Sequence, residues 1–392
     1  MVTEVDLLIL GGGCAGLSLA RELAAHESKA PTTCIIEQRT HYDNDRTWCF
    51  WNDDTALATD LVEHRWPRIQ LRAAGEVVDV ECGDRPYQMI GSGRFYADAL
   101  QKISGAPQLN IELGVRTLAE PYFAQGMWHV GTDAGQRRAR KLIDTRPGPM
   151  PTTPQVSPIL WQSFFGKEIV CEAPLFDPST VTLMDFFDDR SPDLHGRIIF
   201  TYVLPLSANR ALIEVTMFDP TPFGAVDLSQ ALQRQIQARV GAHVYTEARS
   251  EHGILPMGLP HRHASREASA PNYVQVGLMH GGARASTGYA FQRIQRWAQS
   301  CAAQLVAGAP MQPHAADSLL IRNMDRLFLS LLRHRPDTAS TLFLSMFKHA
   351  DRAVLIRFLN DRMSLRDALG IVTSLPALPF IRQIGHDLVH AR

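Results

Sequence analysis

The stretch Val5-Asp6-Leu7-Leu8-Ile9-Leu10-Gly11-Gly12-Gly13-Cys14-Ala15-Gly16 decides the fold class. Val5 to Leu10 form a short apolar run cut off by three glycines, the pattern of a strand buried on both faces. Beyond it Leu17, Ala20, Leu23 and Ala24 recur at helical spacing, and Thr33 to Glu37 resume a buried-strand pattern, which predicts one βαβ unit. Gly11-x-Gly13-x-x-Gly16 stands between strand and helix, and Glu37 ends the next strand 37 − 16 = 21 residues later. The three glycines then serve different ends. Gly11 makes the tight turn, Gly13 lets backbone N–H groups approach a pyrophosphate, and Gly16 allows close helix packing. Glu37 is placed to accept the ribose hydroxyls of an adenosine. A glycine turn in some other α/β fold is the alternative, against which strand, helix, spacing and acid all agree. NAD and FAD both use this turn. Its place at the start of a long chain and the polar loop with Arg46 after the acid favour FAD, Arg46 being either a pyrophosphate partner or an ordinary solvated arginine.

Composition narrows the classes. With 45% hydrophobic and 20% charged residues over 392 positions, disorder, collagen and coiled coil are excluded and two or three intergrown units are expected. Lys+Arg 39 against Asp+Glu 40 leaves no global field to hold a nucleic acid, so no nucleic-acid partner is expected. Cys14, Cys34, Cys49, Cys82, Cys171 and Cys301 form no C-x-x-C pair, as expected of reduced thiols rather than a disulfide framework or zinc site. No basic leader and no apolar run of about 18 residues is present, so neither a signal peptide nor a span is expected. The fifteen histidines show no H-E-x-x-H or clustered spacing, and no metal is expected.

Outward from the glycine turn, His41 to Trp51 (HYDNDRTWCFW) reads as a site-forming loop, too irregular for a core element. Strands are expected at Val77 to Glu81, Trp128 to Val130 and Leu142 to Asp144, and a helix from Ser92 to Leu100. A soft boundary falls in the Pro-rich segment Pro147 to Pro154. Thr180 to Phe186, Ile198 to Leu204 and Ala211 to Met217 alternate like three antiparallel strands of one sheet. Leu228 to Val240 reads as a helix, Tyr273 to Leu278 as a strand and Tyr289 to Ala307 as a helix. The last 75 or so residues read as helical, with Arg322, Arg326, Arg333 and Lys348 among Leu and Phe.

Four segments carry a family resemblance: Arg46-Thr47-Trp48-Cys49-Phe50-Trp51, Gly93-Arg94-Phe95, Leu212-Ile213-Glu214-Val215-Thr216 and Arg284-Ala285-Ser286-Thr287-Gly288-Tyr289. In order and spacing the chain resembles the bacterial lycopene β-cyclase family of flavoproteins. Cys49 stands where that family usually carries serine, Val215 where it carries an acid, and Ala285 where proline is common. The resemblance implies an α/β fold: a Rossmann-like, glutathione-reductase-like FAD-binding domain with an antiparallel substrate-binding sheet and a helical C-terminal region meeting the membrane. Residues 1–150 and 266–310 would form the FAD-binding domain in two parts, 151–265 the substrate sheet and 311–392 the helical region. It also implies cyclisation of the acyclic ψ end groups of lycopene or a related carotenoid to β-rings, with reduced FAD as cofactor and NAD(P)H as reductant. The partners implied are an apolar polyene and, by peripheral contact, the inner face of the cytoplasmic membrane.

The resemblance puts the acid–base carboxylate on Glu214. Read from the residues, Glu214 interrupts an apolar strand, where a carboxylate is either partnered or protonated, or else points to a wet face by period-two alternation. Asp185, in TLMDFF, is a second acid candidate with the same solvent-facing alternative. Trp48 and Trp51 either pack as core aromatics or offer ring faces to a carbocation, which they stabilise without trapping it. Arg284, Thr287 and Gly288 lie between a strand and a helix and are expected at the flavin, with a helix cap at Ser286 or Thr287 as a compatible reading. Two other functions remain: an FAD- and NAD(P)H-dependent monooxygenase acting on an apolar substrate, and an inert binder. Against the monooxygenase, Gly277-Leu278-Met279-His280 lacks the Gly-Asp pair expected at the last flavin strand. Against the inert binder, a carboxylate within an apolar strand would have no purpose.

Overall fold

The computed structural model describes residues 3–53, 55–148, 157–189, 191, 193–259 and 272–390. The glycine-bounded run is β1 (Thr3–Leu10), followed by α1 (Cys14–Ala24) and β2 (Thr33–Glu37). Leu7 and Ile9 pack among α1 residues such as Leu17 and Leu23, while Leu8 and Leu10 pack against Trp128 and Val130 on the other face. Both faces are covered, which is why the run shows no polar alternation.

Next come β3 (Thr47–Trp51), β4 (His64–Trp66), β5 (Arg68–Ala73), β6 (Glu76–Glu81), β7 (Tyr87–Gly91), α2 (Ser92–Ser104), β8 (Leu109–Leu113), β9 (Tyr122–Ala124), β10 (Met127–Thr132) and β11 (Gly135–Asp144). The second half holds β12 (Leu160–Cys171), β13 (Thr180–Phe186), β14 (Ile198–Ser207), β15 (Arg210–Asp219), α3 (Ala225–Val240), β16 (Tyr245–Met257), β17 (Tyr273–Gln275) and α4 (Phe291–Val306). Five helices follow: α5 (Leu319–His334), α6 (Ala339–His349), α7 (Arg352–Leu359), α8 (Leu365–Thr373) and α9 (Ala377–His390).

One sheet runs β8-β2-β1-β11-β10-β9 with β17 also on β11, the β8, β2, β1, β11 and β17 pairings being parallel. This is the Rossmann-like layer. A second, of seven strands, runs β16-β12-β15-β14-β13-β5-β6. The three expected antiparallel strands are its centre, but the sheet also takes β5 and β6 from the first 150 residues, with β5 parallel to β13. The boundary expected near residue 150 thus does not separate the layers. Its residues 149–156, and most of those around the boundary at 265, lie outside the described ones. Contrary to the loop expected over His41 to Trp51, Thr47 to Trp51 are a strand: the β-forming aromatics pair with β7 in a small β3-β7-β4 sheet, leaving only 41–46 irregular. Similarly, the strand expected over Tyr273 to Leu278 stops at Gln275, shortly before Gly277 at φ +113°, and α4 starts at Phe291 rather than Tyr289.

Period-two geometry sorts the central strand β15. Ile213, Val215 and Met217 pack under α3 with Leu228, Leu232 and Ile236. Leu212 and Phe218 face the opposite way, into a core shared with the C-terminal helices through Leu332, Phe343 and Phe347. Neither face is wet, and Glu214 lies on the second.

Candidate active site

A cavity of about 870 Å³ runs from the glycine turn, across the inner face of the substrate sheet, to the C-terminal helices. Gly13, Cys14 and Ala15 line its first end with Arg39, Arg46, Trp48, Thr287 and Gly288. The three fingerprint glycines are used differently. Gly11 sits at φ +94°, and a Cβ on Gly16 would stand 2.0 Å from the Gly11 carbonyl oxygen, so α1 can approach only a glycine there. A Cβ on Gly13 would meet nothing within 4 Å and would project into open space at the start of α1. That helix has no side-chain cap and no acid in its first turn, so its free N–H groups and dipole suit a diphosphate. Gln162 Oε1, buried in the cavity wall without a hydrogen-bond partner, offers a further polar contact. The residues present fit a dinucleotide.

The sequence-derived cofactor residues divide. Gly288, at φ +71°, and Thr287 line the cavity, a Cβ on Gly288 meeting Gln162 Oε1 at 2.8 Å. Arg46 lines it too, its guanidinium donating to the Asp45 carbonyl at 2.6 Å. Glu37 is buried at the end of β2 and, unlike Gly13, does not line the cavity: one carboxylate oxygen accepts from the Gly12 N–H at 2.6 Å and the other from the Arg39 N–H at 2.8 Å. Arg284 is a correction. It is 1% exposed, absent from the cavity wall, and forks onto Asp325 of α5 at 2.6 and 3.0 Å and onto Asp361 after α7 at 2.6 Å. Burial works against its charge, yet the two carboxylates outweigh it and raise its pKa, so Arg284 clamps the C-terminal helices to the turn instead of meeting a flavin.

Glu214 does enter the cavity. It is 7% exposed and its carboxylate accepts one hydrogen bond, from Thr216 Oγ1 at 2.7 Å. Burial, reinforced by the charge of Glu251, pushes its pKa up to about 8, so the group is largely protonated at neutral pH. Asp185 is not brought to it. It lies outside the cavity wall, with its carboxylate 2.6 Å from the Arg239 guanidinium of α3. Trp48 lines the cavity with its ring stacked on Phe291 at 5.2 Å and edge-on to Phe95 at 5.3 Å, whereas Trp51 is fully buried, packed on Tyr87 at 4.4 Å. Thr287 Oγ1 accepts from the Tyr289 N–H at 3.3 Å, a local turn contact compatible with facing a cofactor.

Several wall residues have no role in the sequence reading. Tyr87, Tyr202 and Tyr289 bring their hydroxyls together, 3.0 Å between the first two and 3.4 Å from Tyr87 to Tyr289, with Cys49 in the same wall. Burial raises the Tyr202 hydroxyl well above its ordinary pKa and pushes the Cys49 thiol up to about 12, so they stay neutral. The second carboxylate, Glu251, stands two residues before Gly253 in β16. A glycine inside a strand was the available signal for both Gly166 and Gly253. No metal was expected; the described residues do gather His334, His386 and Asp387 on the surface, their ligand atoms within 4.8 Å of one another and none lining the cavity.

The sequence model described as "Lycopene cyclase protein" matches residues 6–384. The chain belongs to the lycopene cyclase family. The lycopene beta-cyclase of Pantoea ananas is 25% identical over 401 residues, covering 97% of each chain, and that of Paracoccus sp. (strain N81106 / MBIC 01143) is 32% identical over 240 residues, covering 56% of this chain and 57% of the relative. Among solved structures, a geranylgeranyl bacteriochlorophyll reductase-like protein of Thermoplasma acidophilum superposes with a TM-score of 0.59 at 11% identity over 97% of this chain and 99% of its own. The p-nitrophenol 4-monooxygenase PnpA of Pseudomonas putida gives 0.57 at 14% over 98% of both. At such identities the likeness is one of fold. This family member has the Rossmann-like flavoprotein architecture expected from the glycine turn.

Proposed function

We propose that the protein closes the acyclic ψ ends of lycopene or a related carotenoid to β-rings, as a non-redox isomerisation run by Glu214. The observation that carries this reading is a buried carboxyl facing a cavity whose wall there carries Phe164, Leu183, Phe200, Phe218, Phe328 and Phe343, its burial favouring the protonated form. An alkene is a weak base, so its protonation needs a neutral acid in a water-poor pocket. Glu214 gives its proton to the terminal double bond: the O–H bond breaks, a C–H bond forms, and the tertiary carbocation is attacked by the neighbouring double bond. The Glu214 carboxylate then takes a proton from the carbon beside the new cation, which fixes the ring double bond and restores the acid, so the substrate gains and loses one proton and no electrons. The ring faces of Trp48 and Tyr202 stabilise positive charge without offering a nucleophile.

FAD would be held by Gly11, Gly13, Gly16, the α1 N-terminus, Arg46, Thr287 and Gly288, and in its reduced form, maintained by NAD(P)H, would supply negative charge to the cavity. Support comes from the fit of the glycine cradle and from the shared fold, one such neighbour, the monooxygenase PieE, having been solved with FAD and substrate. Anaerobic incubation with lycopene and reduced FAD tests the reading. Unchanged mass with altered absorption supports it; an aerobic gain of one oxygen would support a monooxygenase and overturn it.

The same reading includes peripheral contact with the inner face of the cytoplasmic membrane. No single described helix is long and apolar enough to cross a bilayer, and α8 with α9 passes that test only as a pair bent by 105°. This pair exposes Leu365, Leu369, Val372, Leu378, Ile381 and Ile384. Val372, Ile381 and Ile384 also line the cavity. An apolar face continuous with an apolar cavity suits an interfacial helix pair that takes up a lipid-dissolved substrate. The basic residues of α5 and α6 do less here than their sequence setting promised: Lys348 is tied to Glu76 and Arg333 to the Ile159 carbonyl.

A further inference from the structure

Gly166 of β12 has two cross-strand partners, Glu214 on β15 and Glu251 on β16. Residues directly opposite one another share a face, so the row Tyr202, Glu214, Gly166, Glu251 crosses the sheet pointing one way. The two acids are separated by two strand spacings, roughly 10 Å between backbones, with a residue between them that has no side chain. A Cβ on Gly166 would stand 3.2 Å from Glu214 Cβ and 3.4 Å from its Cγ, so the Glu214 side chain lies against the gap the glycine leaves. Both acids are buried, and both line the cavity.

Their surroundings are unequal. Glu251 accepts from Thr47 Oγ1 at 2.7 Å and from the Arg249 guanidinium at 2.5 Å. Arg249 is itself fixed by Glu168 at 2.7 Å and donates to Thr47 Oγ1 at 2.8 Å. Glu214 has one neutral hydroxyl. Two neighbouring buried carboxylates do not both ionise cheaply, and the charge settles on the one that a cation faces. Burial leaves the Glu251 carboxyl above its ordinary pKa too, but Arg249, Thr47 and, more weakly, Arg46 pull it back down, and among the described residues only Thr216 does so for Glu214.

We propose that Glu251, fixed as the anion by Arg249 and Thr47, is a positioning residue that makes Glu214 the carboxyl which keeps its proton until an alkene arrives. The inference rests on the cyclase reading for its catalytic meaning, not for its test. The titratable groups around Glu214 are Tyr202 from β14, Cys49 from β3 and Glu251 from β16, with Tyr87 of β7 and Tyr289 behind Tyr202. The C-terminal helices bring Met324 and Phe328. Among the described cavity residues the remaining carboxylate, Asp325, is held by Arg284, and the cations Arg39, Arg46 and Arg146 line the wall with the glycine turn.

The test is an infrared titration of the protonated carboxyl stretch in the full-length protein, the Glu214 band being assigned by its loss in Glu214→Gln. In Glu251→Gln the Glu214 midpoint should fall by about one pH unit, a tenfold change in its ionisation constant, and the alkaline limb of turnover should move with it. Glu251→Asp, which keeps the charge, should restore both. Glu251→Gln paired with Arg249→Gln leaves no orphan guanidinium and should shift the same way, which keeps the test open if the single variant folds poorly. An unmoved midpoint overturns the inference even if turnover is lost, because that pattern is a structural defect. A moved midpoint in a protein that fails to cyclise lycopene would leave the coupling standing and remove the cyclase reading instead.

Discussion

At the scale of single residues, the chemistry concentrates on Glu214. Glu214→Gln keeps the shape and the Thr216 contact but has no acidic proton, so turnover should drop by at least about 10²- to 10⁴-fold with flavin content unchanged, as product chromatography would measure. Asp185→Asn should leave turnover within about twofold, since it loses a half-buried pair with Arg239 of α3 and no cavity contact. With its pKa pushed to about 8 from an ordinary 4.5, Glu214 is protonated in the native state and ionised in the unfolded chain between those pH values. The native state then binds more protons, so this residue's contribution to stability falls as pH rises from about 4.5 to 8, and the acid is spent above 8. A wild-type rate that stays flat to pH 10 would contradict the assignment. A carboxylate breaking an apolar run flags Glu214 and Asp185 alike, and it is the family resemblance that singles out Glu214. Glu251 was not legible, because only the register through Gly166 places it opposite, and register is a long-range property. Arg284 departs from its expected place for a related reason: Asp325 and Asp361 lie 41 and 77 residues along the chain.

The elements themselves were more legible than their partnerships. β1, α1 and β2 follow from one glycine-bounded apolar run, and the helical tail follows from periodicity. The small β3-β7-β4 sheet did not, since its strands are short and its tryptophans stand among polar neighbours. Two substitutions in the same turn should separate fold from cofactor. Gly13→Val adds bulk only to the open space before α1, so it should yield folded protein without yellow flavin absorbance. Gly16→Ala forces the helix off the Gly11 carbonyl and should cost about 1–3 kcal/mol in a denaturant titration. The clamp from the turn to α5 is a third element-scale device. Asp325→Asn leaves Arg284 buried with half its pairing gone, and a loss of about 3–5 kcal/mol is expected, read as a lower urea midpoint.

At the scale of the molecule, the apolar face of α8 and α9 sits where the cavity reaches the surface. The paired change Leu369→Asp and Ile381→Asp should abolish flotation with anionic liposomes at low salt while leaving flavin bound; co-flotation of that variant would place the contact elsewhere. The parallel pairing of β5 with β13 has another consequence, for how the chain can be cut. Residues 68–81 cover one flank of a sheet whose other strands come more than 75 positions later, so a fragment starting after residue 150 would present β13 as a bare edge. Bare edges recruit further strands, and such a fragment should self-associate instead of folding as an independent domain. The nascent chain meets the same problem in reverse, holding a finished hairpin with no sheet to join until the second half emerges.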